Sequence, residues 1–230
     1  MSKYFSWHFT FYSVGLIGII YSVLLLFFVQ EKKAYVVDGS TQLSLKDEFK
    51  QLSKGLGILF GNISFWVVLF YFSAPSLPGW AAKNWLPTLF SETLHLDMAV
   101  AGPIATITIA MSSFIGVLIG GLLSDQWVAK NLKGRIYTSV IGLTLTLPAL
   151  FLLGYGTQIE TIVTGGIVFG LGFGIFDTNN MPILCQFVSP RYRATGYGLM
   201  NLAGISAGAV ITEFLGKAED NGGMGHIFVL

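Results

Sequence analysis

The chain has 230 residues, of which 53% are apolar and 11% charged, and its formal net charge is +1. Soluble domains carry about 25% charged residues, so this composition excludes an ordinary soluble fold. The near-zero net charge gives no basic footprint for nucleic acid. A single cysteine, Cys185, excludes an internal disulfide or a thiolate metal cluster, and His8, His95 and His226 are scattered, so no metal or cofactor is expected.

The charges are clustered. None falls in 4–30, 55–82, 98–124, 136–159 or 194–212, and only Asp177 falls in 161–190. A membrane span needs about 20 mostly apolar residues. Six such spans are expected, over 7–29, 62–90, 98–123, 136–154, 161–187 and 195–216. The first apolar run is too long for a signal-peptide core and is read as a span. The predicted fold is an all-α polytopic membrane protein with about six transmembrane helices. The segment His226–Leu230 turns apolar again, where a seventh span is expected to begin.

Basic residues set the orientation. Ten of the thirteen lie in three connections: Lys32, Lys33, Lys46, Lys50 and Lys54 in 30–61; Lys130, Lys133 and Arg135 in 124–135; Arg191 and Arg193 in 188–194. Lys3, Lys83 and Lys217 fall to the opposite side. The three basic connections are therefore expected to face the cytoplasm of an inner or plasma membrane. This puts the amino terminus outside, as expected of a chain that begins partway through a larger protein.

Taken in order, 7–29 reads as a lipid-facing or packing helix with Tyr4 and Trp7 as interfacial anchors. In 30–61, Asp38-Gly39-Ser40 marks a turn, and Ser44-Leu45-Lys46-Asp47 has capping-box spacing. Leu45, Phe49, Leu52, Leu56 and Leu59 follow at helical spacing, predicting an amphipathic surface helix that leads into the next span. In 62–90, Pro75 and Pro78 remove backbone donors amid Trp66, Tyr71, Trp80, Asn84 and Trp85. That suits a bending, solute-lining helix with Trp66 and Tyr71 as contacts. It equally suits a kinked structural helix with a belt at Trp80 and Trp85.

Residues 98–123 carry the small-xxx-small pair Gly116 and Gly120, a close-packing signal, and 136–154 reads as scaffold. Residues 161–187 are the most informative. Five glycines precede Asp177-Thr178-Asn179-Asn180-Met181-Pro182. A carboxylate at the centre of a span costs roughly 2.5–3.5 kcal/mol on insertion scales, so Asp177, Asn179 and Asn180 are candidates for solute contact or proton relay. The alternative is that Asp177 bonds to neighbouring helices and fixes their packing. In 195–216, Gly204 and Gly208 form another close-packing face, and Asn201 is read as reaching the solute or bonding across helices.

The span ending Gly121-Leu122-Leu123-Ser124-Asp125, followed by a polar run closing at Lys133-Gly134-Arg135, resembles the signature loop of the major facilitator superfamily. That loop follows the second helix and returns in degenerate form after the eighth. Here Gln126 stands where a base is usual, and the gap to Gly134 is longer, as in the degenerate copy of sugar-phosphate, organic-anion and hexuronate carriers. Trp85-Leu86-Pro87-Thr88 looks like the outer end of the seventh helix, and Pro190–Gly198 like the turn into the eleventh.

The resemblance implies the sixth through eleventh helices of a twelve-helix carrier. Residues 1–29 would be the sixth helix, 30–61 the cytoplasmic linker, and 62–230 a carboxy-terminal bundle cut short before or within its last helix. It implies a permease working by alternating access, with a small-molecule solute, a coupling proton or sodium ion, the lipid bilayer and a missing amino-terminal half as partners. Gly121, Asp125, Gly134, Arg135, Arg191 and Arg193 would serve gating. Asp177, Asn179, Asn180, Tyr71, Trp66 and Asn201 would serve solute binding or coupling. The competing classes are a membrane assembly subunit that uses its glycine faces, and an intramembrane enzyme that uses Asp177. The second lacks a nameable second acid, His pair or nucleophile–base pair.

Overall fold

The structure, a computed structural model, describes residues 7–29 and 45–220. The turn expected at Asp38–Ser40, the hydroxyl end of the capping box at Ser44, the anchor Tyr4 and the apolar tail from His226 lie outside the described residues. The chain divides into two units, residues 1–51 and residues 52–230.

The first unit holds α1 (Trp7–Phe28) and the start of α2 (Leu45–Phe60). α1 is 22 residues without a charge. Its hydroxyls at Ser13 and Ser22 donate to the carbonyls of Phe9 and Gly18, at 2.5 and 2.9 Å. These two hydroxyls are thereby satisfied within their own helix, as a lipid-facing segment requires.

The second unit completes α2 and continues with α3 (Ile63–Leu94), α4 (Met98–Val128), α5 (Gly134–Tyr155), α6 (Ile159–Asp177), α7 (Asn180–Phe187), a 3₁₀ turn at Pro190–Tyr192 and α8 (Arg193–Asp220). Six segments among the described residues are long and apolar enough to cross a membrane: α1, α3, α4, α5, α6 with α7, and α8 with the turn before it. They coincide with the six expected spans. α3 has 32 residues, which at 1.5 Å each is about 48 Å, longer than the roughly 30 Å hydrocarbon core.

The structure adds three local details. First, α4 runs past the expected end of its span at residue 123 to Val128, so Gly120–Asp125 is helical. Hydropathy marks where a helix leaves the apolar layer, not where its backbone hydrogen bonds stop. The reversal falls at Ala129–Lys133, where the Lys133 N–H donates to Asn131 Oδ1 at 2.9 Å and the Gly134 N–H to the Asn131 carbonyl at 2.8 Å. Second, Pro75, Pro78 and Pro87 all lie inside one helix, as either reading of 62–90 has them. Third, the span 161–187 is two helices joined through Thr178 and Asn179. Pro182 suits the break: it has no N–H to bond the carbonyl of residue 178, and it falls in the first turn of α7, where a proline costs least.

Glycines bring the helices together. A Cβ on Gly120 would stand 2.7 Å from the Cα of Ile175, and one on Gly116 would collide with the carbonyl of Leu171, so α4 lies against the α6 backbone. Gly170 and Gly174 return the contact to Ser112 and Ser113, and Gly142 of α5 meets Gly172. Gly204 and Gly208 of α8 receive the rings of Phe72 and Trp80 from α3. Around these seams the apolar core gathers Leu86, Phe90, Ala101, Ala105, Leu153, Ile162, Phe169 and Phe176. A second cluster joins Leu59, Phe65, Val68, Ile183, Leu184 and Met200.

Candidate functional site

A cavity of about 220 Å³ opens between α3, α6 and α8. From α3 it takes Phe72, Ser76, Gly79, Trp80 and Lys83; from α6, Phe173 and Asp177; from α8, Tyr197, Asn201, Gly204 and Ile205. The α3 residues recur every three or four positions, so they form one stripe of the helix. Phe173 and Asp177 are one turn apart on α6 and share a face in the same way.

Two opposite charges stand in this cavity within membrane-spanning segments. The Asp177 carboxylate accepts from Asn180 Nδ2 at 3.0 Å and is otherwise exposed. The Lys83 ammonium lies 5.3 Å from the centre of the Phe173 ring and 5.6 Å from that of Trp80. The ion pairs among the described residues join Arg135 to Asp125 and Lys217 to Glu213, and neither involves Lys83 or Asp177. Ring faces attract a cation by their quadrupole but do not neutralise it. Charges at this depth are sustained by a water-filled cavity or by a partner, and here they share a cavity.

The six residues expected at a solute site are divided by the structure. Asp177 and Asn201 line the cavity. Asn201 donates to the Tyr197 carbonyl at 3.1 Å. Asn180 is buried behind Asp177 and holds its carboxylate. Asn179 is fully buried and donates to the Ile175 carbonyl at 3.0 Å, beside the break between α6 and α7. Tyr71 packs edge-on against Phe176, 5.3 Å between ring centres, and Trp66 donates to the Phe60 carbonyl at 2.8 Å. Neither belongs to the lining. At 100° per residue, Tyr71 and Trp66 sit about 100° and 240° around α3 from Phe72.

Among the lining residues the sequence reading missed are Lys83, Trp80 and Phe173. Lys83 is the only charged residue in 55–91, and counting it with the outer-side bases concealed that it falls inside a span. Its spacing from Ser76 and Trp80, seven and three residues, was the available signal. Trp80 packs onto Gly208, so it is a helix-contact and cavity residue and not only an interfacial anchor.

Two of the basic connections, 124–135 and 188–194, are held by specific bonds. Arg135 Nη2 donates to Asp125 Oδ1 at 2.9 Å, and Nη1 to Ser124 Oγ at 3.5 Å. Gly134 is needed there, since a Cβ would stand 2.7 Å from Trp127. Gly121 is not crowded; the close approach falls on Gly120. Arg193 donates to the carbonyls of Cys185 and Val188, at 2.9 and 3.2 Å, and so caps α7. The Arg191 guanidinium lies 5.8 Å from the Tyr192 ring.

A bundle of membrane-spanning helices with a charged, aromatic-lined cleft defines a multi-pass membrane protein. The family model of the Major Facilitator Superfamily matches residues 1–212, and the chain belongs to that family. It is 24% identical over 229 residues to the "Probable anion transporter 6, chloroplastic" of Arabidopsis thaliana, covering 92% of this chain and 43% of that protein. It is 21% identical over 238 residues to the "Ascorbate transporter, chloroplastic" of the same plant, covering 97% and 43%. It is 21% identical over 174 residues to the "Uncharacterized transporter YybO" of Bacillus subtilis (strain 168), covering 71% and 39%. The chain spans about two fifths of the length of these relatives.

Proposed function

We propose that the chain forms part of a secondary active carrier that moves a small polar organic solute (a sugar, sugar acid or organic anion) across the membrane by alternating access. The observation that carries this reading is the cavity between α3, α6 and α8, with Lys83, Asp177 and Asn201, all on membrane-spanning segments, in its wall. Carriers of this kind bind solute near the midplane, between two helical repeats. Membership of the superfamily and the transporter names of the relatives support the same reading.

In this reading residues 1–29 are a sixth helix, 30–61 the linker, and 62–230 the helices from the seventh onward. An amino-terminal half completes the solute site. Asp177 contacts solute or a coupling proton or sodium ion, with Asn180 holding it and Asn201 facing it across the cavity. Arg135, Asp125, Gly134, Arg191 and Arg193 serve the gate at the basic connections, which face the cytoplasm of an inner or plasma membrane.

An assembly subunit would need its glycine faces for partners, and Gly204 and Gly208 are filled here by Phe72 and Trp80. The test is Asp177→Asn in the full-length gene product. Normal membrane expression with uptake lost is the expected result, and unchanged uptake would remove Asp177 from the mechanism.

A further inference from the structure

We propose that Lys83 is the charge that selects the solute: its ammonium receives the acidic group of a small hydroxylated organic anion whose hydroxyls donate to Asp177 and Asn201. The inference rests on the reading of the cavity as a solute site and adds to it a residue and a polarity, which choose among the solutes that reading allows.

The polarity follows from position. Lys83 lies against Phe173, and Asp177 follows Phe173 by one turn, about 6 Å along α6. The cavity therefore has a cationic end beside Trp80 and an anionic end at the close of α6. A lysine ammonium carries three donors and no acceptor, and an ionised carboxylate is acceptor-only. An acceptor-rich acidic group therefore fits the first end and a row of hydroxyl donors the second. The Asn201 amide can take either kind of partner. Neutral sugars satisfy Asp177 but leave the ammonium without an anion, and cations meet Lys83 with like charge.

Lys83 is free to do this. Among the described residues it has no carboxylate within ion-pair distance, and its recorded neighbours are two ring faces. Aromatic faces hold a cation in place while leaving it open to a stronger anionic partner.

The test uses the full-length gene product in nanodiscs, with D-gluconate, its uncharged counterpart D-glucitol, and acetate as probes. Binding is followed by calorimetry and by tryptophan fluorescence, since Trp80 adjoins the ammonium. Wild type is expected to bind gluconate more tightly than glucitol or acetate. Lys83→Met is expected to weaken gluconate by about tenfold or more, the range of a lost charge-assisted bond, and to leave glucitol unchanged. Lys83→Arg should restore most of the difference. A Lys83→Met protein that folds and still prefers gluconate overturns the role of Lys83. Equal binding of gluconate and glucitol by wild type, or binding of glucitol alone, overturns the anionic class while leaving the cavity reading intact. No binding of any probe by folded wild type overturns the class proposed here, and an Asp177→Asn protein with unchanged uptake would separately overturn the cavity reading. If Lys83→Met alone fails to fold, the gluconate preference of Lys83→Arg decides, since retained folding with that preference lost overturns the proposal.

Discussion

Arg135 and Asp125 meet across the reversal between α4 and α5, with Nη2 2.9 Å from Oδ1. The guanidinium side is mostly covered and the carboxylate side 70% exposed, so this pair is set at the rim of the bundle. Exposed pairs contribute about 0–1 kcal/mol to stability, which is too little to explain the bond as a stability device. The pair joins the end of one span to the start of the next, where the proposed gate would act.

Asp125→Asn should therefore leave solute affinity within about twofold and shift thermal unfolding by no more than the 0–1 kcal/mol of an exposed pair, while slowing turnover several-fold. Single-turnover uptake compared with equilibrium binding in the full-length gene product checks this. A large affinity loss with an unchanged rate would assign the pair to the solute site instead.

The α4–α6 seam should tolerate no added atom. Gly116→Ala places a methyl group on the Leu171 carbonyl, and overpacking of this kind costs about 1–3 kcal/mol. Gly102→Ala, on the same helix with nothing within 4 Å of its added Cβ, should be neutral or stabilising by a few tenths to about 1 kcal/mol. Thermal unfolding of the two variants in detergent separates steric closure from helix propensity, since both gain the same propensity.

Arg193→Met removes the donors on the Cys185 and Val188 carbonyls at the end of α7. Leaving half-buried carbonyls without these partners should cost about 1–3 kcal/mol locally. Hydrogen exchange is expected to rise over 184–193 and to stay unchanged over α5. Equal protection in variant and wild type would show that the turn is held by its backbone bonds alone.

The orientation can be read chemically. Cys185 is the only cysteine of this chain, so Cys185→Ser, with any cysteine of the amino-terminal half also replaced, gives a cysteine-free background. Asn131→Cys, in the exposed reversal between α4 and α5, should then react with a membrane-impermeant maleimide only from the cytoplasmic side. Labelling from the opposite face of intact cells would invert the assigned topology.

The six spans were legible in the sequence because bilayer thickness fixes a length and hydropathy is a one-dimensional property, so the gaps between charges at 55–82, 98–124 and 136–159 located helices directly. The Gly116–Gly120 seam was legible for a related reason, since small residues at fixed spacing admit a neighbouring backbone. Asp177 and Asn201 were legible as polar groups at depth.

Their surroundings were not. Which way a side chain faces depends on the rotation of each helix and on what packs against it, and the sequence prints neither. Tyr71 and Trp66 share α3 with the cavity stripe yet point away from it, and Asn179 turns back onto Ile175 beside the break between α6 and α7. Lys83 gained its meaning only when α6 brought Phe173 beneath it and set Asp177 one turn away. The sequence by itself determined that this chain crosses a membrane about six times and where it does so. The tertiary structure decided that a cation and a carboxylate share one cavity, because only the packing of α3, α6 and α8 brings residues 94 positions apart to the same wall.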